Sequence, residues 1–128
     1  MAQSERTDLA DAAAFTDALK RDKLQVIELY SDWAGPTQAL PNFWHQLAKE
    51  HDSVLPVDAC TACFERCKEA PALASLQATS QPRFLLFKGG KQVAFVKGVD
   101  PPGLSAAISK QLAAQSGSAA ARTTSDLE

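Results

Sequence analysis

Apolar residues recur along the chain with the periods of strands and helices. The run at residues 26–29 is almost entirely apolar, which predicts a central strand covered on both faces. Ahead of it, Ala12, Phe15 and Leu19 share one face at helical spacing, and Thr7 is a suitable N-cap for that helix. The pattern therefore predicts a first helix followed by a buried strand.

A second amphipathic helix follows the strand. Gly35 relaxes the backbone at the intervening turn, and Pro36 has the fixed φ suited to a first helical turn. Because a proline inside a helix removes a backbone donor and crowds the preceding turn, Pro41 predicts a kink. The apolar positions that recur at i, i+3, i+4 and i+7 are Leu40, Phe43, Trp44 and Leu47.

The middle of the chain predicts one short strand and one long helix. Residues 53–59 are mostly apolar, and Pro56 favours an outer position in the sheet or a bulge. Residues 60–77 are rich in Ala, Glu, Lys and Leu, which predicts a helix that breaks near Pro71.

The last third predicts a β-hairpin and a final helix. The apolar runs 84–87 and 93–96 are joined through Gly-Gly, which is a strong hairpin signal. Asp100 is placed to cap a helix whose first turn contains proline. That helix has Leu104, Ile108 and Leu112 on one face.

The chain after Ser116 consists of Ser, Gly, Ala, Thr and charged residues without periodicity, which predicts a disordered tail at 116–128. With a flexible N-terminus at 1–7, the folded domain is expected over 8–115. The predicted order of elements is α-β-α-β-α-β-β-α, an α/β arrangement.

Composition excludes several functional classes. The chain has 128 residues and a formal net charge of −2, so charge gives no case for nucleic acid or an anionic membrane as partner. No apolar run has the length that spans a bilayer, and the N-terminus lacks the hydrophobic segment of a secretory signal. Three cysteines, an odd number, indicate reduced thiols in the cytosol.

The three cysteines lie close together in sequence and allow three interpretations. Cys60 and Cys63 form a C-x-x-C pair, and Cys67 would share a helix face with Cys63. The first is that they are packing thiols, the second that two of them form a redox-sensitive pair beside a third thiol, and the last that they are ligands of a soft metal. A closed zinc site needs four ligands, and His45 and His51 fall in another predicted helix, so no metal and no cofactor is expected.

The segment after the central strand resembles the thioredoxin active site, whose usual form is Trp-Cys-Gly-Pro-Cys. Trp33 and the Gly-Pro pair are retained, whereas Ala34 and Thr37 stand at the two cysteine positions. Pro82 matches the family's cis-proline, and Gly98 matches the glycine after the last strand. The resemblance implies the thioredoxin fold: a central mixed sheet flanked by helices on both faces, with a cis-proline before the hairpin.

The replaced cysteines remove the family's chemistry. Thiol–disulfide exchange needs one thiolate to attack the disulfide and a second thiol to resolve the mixed disulfide, and alanine does neither. Threonine is too basic as an alkoxide without a general base. Glu28 matches the family's buried carboxylate, which moves protons for the resolving thiol, a role that is lost here. The chain is therefore expected not to be an enzyme at this site.

The retained turn has three interpretations. It persists because the fold needs it, or because its surface docks a peptide, as the shallow groove of thioredoxins does. Engineered removal of the cysteines is the third, although alanine with threonine is an unusual pair for that purpose. The resemblance assigns the following residues to the predicted docking surface: Trp33, Ala34, Gly35, Pro36, Thr37, Gln81, Pro82, Gly98 and Val99.

A narrower resemblance concerns residues 26–33, 82–91 and 96–104. These segments look like the thioredoxin-like light chains of axonemal outer-arm dynein, and like thioredoxin modules fused to nucleoside diphosphate kinase domains in cilia and sperm tails. The resemblance implies a light chain in the cytoplasm and the axoneme of a cilium or flagellum, bound to a dynein heavy chain.

Two further hypotheses belong to other classes. One is a thiol-redox enzyme or sensor that uses Cys60, Cys63 and Cys67. The other is a chaperone-like peptide binder, which the sequence does not separate from an interaction subunit.

Overall fold

A computed structural model describes residues 7–37, 40–52, 56–77 and 81–124 of the chain. Its elements alternate between strands and helices before a final hairpin and helix. In chain order they are β1 (Thr7–Leu9), α1 (Ala12–Ala18), β2 (Gln25–Tyr30), α2 (Pro41–Lys49), β3 (Asp58–Cys63), α3 (Phe64–Cys67), a 3₁₀ helix (Pro71–Leu73), β4 (Arg83–Lys88), β5 (Lys91–Lys97) and α4 (Pro101–Thr124).

The strands form one mixed sheet in the order β1-β3-β2-β4-β5. β1, β3 and β2 are parallel, whereas β4 is antiparallel to both β2 and β5. One apolar cluster packs α1 and α3 on one face, and a second packs α2 and α4 on the other. The predicted mixed sheet with helices on both faces is therefore confirmed.

The hairpin and the helix faces also agree with the sequence. Gly89 and Gly90 have φ of 60° and 83°, the left-handed conformation that a tight hairpin turn requires at both positions. The Asp100 carboxylate accepts a hydrogen bond from the Gly103 amide at 3.1 Å, so the predicted cap is present. Among the described side chains, the predicted helix faces contribute Phe15, Leu19, Leu40, Trp44, Leu47, Leu104 and Ile108 to the core.

The N-terminal prediction was wrong at Thr7, which belongs to a strand and caps no helix. Thr7 pairs with Cys60 in the parallel ladder between β1 and β3. The N-cap of α1 is Asp11, whose side chain accepts from the Ala14 amide at 2.9 Å. Pairing with a distant strand decides this segment, because three residues are too few for a local pattern.

The second helix begins later than predicted. Gly35 and Pro36 lie in a turn, and α2 starts at Pro41, which takes the first helical position. There proline's missing N–H has no intrahelical acceptor to lose, so the kink expected at Pro41 does not arise.

The middle of the chain required the largest correction. Residues 60–63 continue a strand, and the long helix predicted over 60–77 is reduced to α3 and the 3₁₀ helix. This strand, β3, lies inside the sheet and not at the outer position expected from Pro56; the proline precedes the strand and so removes no ladder donor from it. Cys63 is extended at the N-cap of α3, so the helix face that it was to share with Cys67 does not exist. The part of the strand prediction at 53–55 lies outside the described residues.

Two further predictions differ from the structure. The peptide bonds of the described residues are all trans, including the one before Pro82, so the expected cis-proline is not found. Sequence determines where a proline stands, whereas the isomer depends on a small energy difference set by its surroundings. The backbone of α4 stays helical to Thr124, through the region predicted as a disordered tail from Ser116, and alanine-rich sequence favours that continuation.

Within the described ranges, no helix combines the length and apolar character needed to cross a bilayer.

Candidate functional site

The turn after β2 comprises residues 32–37 and is called the Trp33 turn below. The carbonyl oxygen of Ser31 accepts hydrogen bonds from the amides of Ala34 and Gly35, each at 3.0 Å. Gly35 has φ of 72°, a conformation that other residues adopt at a cost. The turn therefore has a defined internal structure without either family cysteine.

Two carboxylates hold the ends of the Trp33 turn. At its end, the amide of Thr37 donates to Oε2 of Glu28 at 2.7 Å, and the Glu28 side chain is fully buried. At its start, the amide of Asp32 donates to Oε1 of Glu65 at 2.9 Å. That hydrogen bond is the main reason why the pKa of Glu65 lies below its ordinary value. The geometry gives Glu28 a structural role, because it fixes the backbone where the resolving thiol would stand.

The other segments of the predicted docking surface lie at the same end of the sheet. Leu29, near the end of β2, pairs with Arg83 at the start of β4, which in turn pairs with Lys97 at the end of β5. The amide of Gly98 donates to the carbonyl oxygen of Pro82 at 2.8 Å and joins the last two segments directly.

This end of the sheet carries exposed apolar side chains. Trp33 is 75% exposed and Val99 is 42% exposed, whereas large apolar residues elsewhere in the described chain are mostly buried. Ala34 and Gln81 are also exposed, and Pro36 and Pro82 are half-buried. An exposed indole beside ordered backbone is chemically suited to binding a polypeptide.

The three cysteines are present as thiols, and all of them are buried. Cys60 and Cys67 belong to the apolar cluster under α1 and α3. The Cys67 thiol donates to the carbonyl oxygen of Leu9 at 3.5 Å, and burial raises the pKa of this thiol to about 11. Packing thiols are the interpretation that this geometry favours for these two residues.

Cys63 lies beside the start of the Trp33 turn. Its Sγ is 3.6 Å from Oε1 of Glu65 and 3.9 Å from Oδ1 of Asp32. In this geometry the Cys63 thiol donates hydrogen bonds to these two carboxylates. Across the ranges that the structure describes, no group of His, Cys, Asp and Glu residues is arranged to hold a metal ion.

A polar cluster that sequence reasoning missed supports the end of β2. The Asp8 carboxylate accepts from the hydroxyls of Tyr30 and Thr61 at 3.2 and 2.8 Å, and lies 3.5 Å from Nη2 of Arg66. Arg66 also donates to the Tyr30 hydroxyl at 3.0 Å. Burial and the Asp8 carboxylate raise the pKa of Tyr30 to about 12, so the phenol stays protonated. The cluster ties β1, β2, β3 and α3 together below the Trp33 turn.

Comparison with known proteins identifies the family. The family model described as Thioredoxin matches residues 6–110. Thioredoxin of Echinococcus granulosus is 30% identical over 98 residues, covering 73% of this chain and 83% of that one. The X-ray structure of Fasciola hepatica thioredoxin has a TM-score of 0.61 at 26% identity and covers 81% of this chain and 97% of its own. The chain belongs to the thioredoxin family.

A flagellar protein is among the relatives. "Dynein 16 kDa light chain, flagellar outer arm" of Chlamydomonas reinhardtii is 27% identical over 81 residues, which cover 63% of this chain. The chain spans about half of that relative's length, since the match covers 52% of it. The sequence identity between this chain and the flagellar light chain is similar to the identity between this chain and the thioredoxins.

Proposed function

We propose that this protein is a redox-inactive member of the thioredoxin family that binds a protein partner. The observation that carries the proposal is the Trp33 turn, in which a highly exposed indole is kept beside ordered backbone while both thiol positions hold Ala34 and Thr37. Glu28 and Glu65 fix that backbone from either end. A preordered surface with one large aromatic anchor binds a polypeptide at a low entropic cost.

We infer further that the partner is a heavy chain of the axonemal outer dynein arm. The flagellar relative and the three segments of narrower resemblance support this assignment. In this proposal the protein is a light chain that works in the cytoplasm and the axoneme of a cilium or flagellum, where it belongs to a microtubule motor complex.

An insulin-reduction assay tests the redox-inactive part of the proposal. With a dithiol thioredoxin as positive control, the protein is expected to show no turnover above the reductant alone, because Ala34 and Thr37 provide neither thiol. Turnover that disappears in Cys63→Ala would contradict the proposal and support the thiol-redox alternative.

Affinity capture from ciliated cells tests the partner. The full chain is expected to retain a dynein heavy chain in equal amount with and without reductant. A heavy chain retained only without reductant would indicate mixed disulfides and overturn the redox-inactive proposal.

A further inference from the structure

Two cations face each other at the edge of the predicted docking surface. Arg83 and Lys97 are paired across β4 and β5, so their side chains lie on the same face of the sheet. Arg83 directly follows Pro82, and Lys97 directly precedes Gly98. Like charges in opposite positions destabilise a strand pair, so this arrangement lowers the stability of the isolated domain.

The Arg83 guanidinium is buried, and none of the described carboxylates forms an ion pair with it. The residue is 5% exposed, and its Cζ lies 5.2 Å from the centroid of the Phe64 ring. Nη1 donates to the carbonyl oxygen of Gln77 at 2.6 Å, whereas the buried Nε has no hydrogen-bond partner among the described residues. Burial lowers the pKa of Arg83, which reflects the cost of keeping this charge out of water.

Neither cation forms an ion pair within the ranges 7–37, 40–52, 56–77 and 81–124. The ion pairs found there join Lys20 to Asp17, Lys23 to Asp58 and Arg66 to Asp8. Glu65 attracts the Arg83 charge from a distance, but its Oε1 already accepts from the Asp32 amide. Arg83 therefore places a positive charge at the border of the predicted docking surface, and its Nε donor has no acceptor among the described residues.

We propose that Arg83 and Lys97 bind a carboxylate side chain, aspartate or glutamate, of the partner segment that occupies the docking surface. This inference rests on the proposed function and adds the chemistry of the partner. Lys97 is exposed and offers a direct ion pair, and the buried Arg83 beside it adds fixed positive charge. The carboxylate supplies the negative charge that the described part of the chain lacks at this position.

The test uses a phage-displayed library of random 12-residue peptides selected on the full chain. Peptides that fail to bind Trp33→Ala are synthesised with each acidic residue intact, changed to its amide, or replaced by phosphoserine. The acidic form is expected to bind about tenfold more tightly than the amide form. Lys97→Gln is expected to remove that difference in affinity. Lys91→Gln is the control, because it makes the same charge change at the other end of β5, and it is expected to leave the difference intact.

A second variant guards against a purely structural effect. Arg83→Met removes the buried charge and keeps similar volume, so the domain is expected to be as stable as the wild type or more stable in urea unfolding. The same variant is expected to weaken the acidic peptide and leave the amide peptide unchanged. Loss of stability together with equal weakening of both peptides would overturn the role given to Arg83.

The outcomes separate this inference from the proposed function. Selected peptides that bind Trp33→Ala as well as the wild type would overturn both. Peptides that need Trp33 but bind equally as acid and amide, or that respond alike to Lys97→Gln and Lys91→Gln, would overturn this inference alone. Preferential binding of the phosphoserine form would replace the carboxylate with a phosphate and overturn the proposal as stated.

Discussion

Oε2 of Glu28, in β2, lies 2.7 Å from the backbone nitrogen of Thr37, the last residue of the Trp33 turn. In a dithiol thioredoxin the corresponding carboxylate serves a thiol, as the resemblance implies. Here it accepts a backbone N–H at the position of that thiol. The site has kept its shape through a hydrogen bond that requires no cysteine.

Replacing Glu28 tests this structural role. Glu28→Ala is expected to lower the free energy of unfolding by about 2–4 kcal/mol, since it leaves both a cavity and a partly buried amide without its acceptor. Glu28→Gln retains an acceptor oxygen and is expected to cost about 1 kcal/mol. Urea unfolding measures both, with the exposed Glu69→Ala as a control near zero. Equal stability of Glu28→Ala and Glu69→Ala would contradict the role of Glu28.

The other end of the turn predicts a pH dependence. The Asp32 amide holds the pKa of Glu65 below its ordinary value of 4.5. The stabilising effect is therefore complete above pH 4.5 and is lost as the pH falls through the lower pKa of the folded state. The difference in urea midpoint between the wild type and Glu65→Gln is expected to shrink between about pH 6 and about pH 3. A difference that stays constant over this range would show that the Glu65 carboxylate does not hold the turn.

The two tryptophans separate stability from binding. Trp33 is exposed, so Trp33→Ala is expected to change the free energy of unfolding by less than about 0.5 kcal/mol. Trp44 is 2% exposed, and Trp44→Ala is expected to cost about 3–5 kcal/mol. Chemical unfolding of both variants measures these values. Comparable destabilisation by the two substitutions would mean that Trp33 belongs to the core.

Burial predicts slow chemistry at Cys67. Its pKa of about 11 leaves little thiolate at about pH 8, and the surrounding core excludes reagents. Iodoacetamide at about pH 8 is expected to label Cys67 in the folded protein at least about tenfold more slowly than in urea, as peptide mass spectrometry would report. Labelling at the unfolded rate would identify an accessible thiol and favour the redox interpretation of the cysteines.

Local sequence patterns were sufficient to predict the hairpin and the buried faces of three helices. Gly89 and Gly90 specify a turn by conformation, and helical spacing identifies Phe15 and Trp44 as core residues. The strand Asp58–Cys63 was predicted only up to residue 59, because residues 60–63 were grouped with the helix-forming Ala, Glu, Lys and Leu that follow them. Pairing on both sides, with β1 and β2, decides its structure, and no local pattern reports that.

Some residues of the candidate site were predicted from the sequence, and others were not. The motif located Trp33 and Pro82 because turn residues and prolines carry their signal in sequence. Glu65 was missed, since its contact with the Asp32 amide depends on where a short helix begins. The position of Arg83 opposite Lys97, with no ion pair to a described carboxylate, was also not predicted, because the sequence does not show which residues pair across two strands.

The most direct test of the central claim compares capture of a dynein heavy chain by the wild type and by Trp33→Ala, both in excess reductant. Quantitative mass spectrometry of material from ciliated cells provides the readout, and Phe95→Ala, another exposed aromatic position away from the turn, is the control. We expect the wild type and Phe95→Ala to retain equal heavy chain, and Trp33→Ala to lose at least tenfold, which corresponds to about 1.4 kcal/mol. Equal retention by all three proteins would contradict binding through the Trp33 turn.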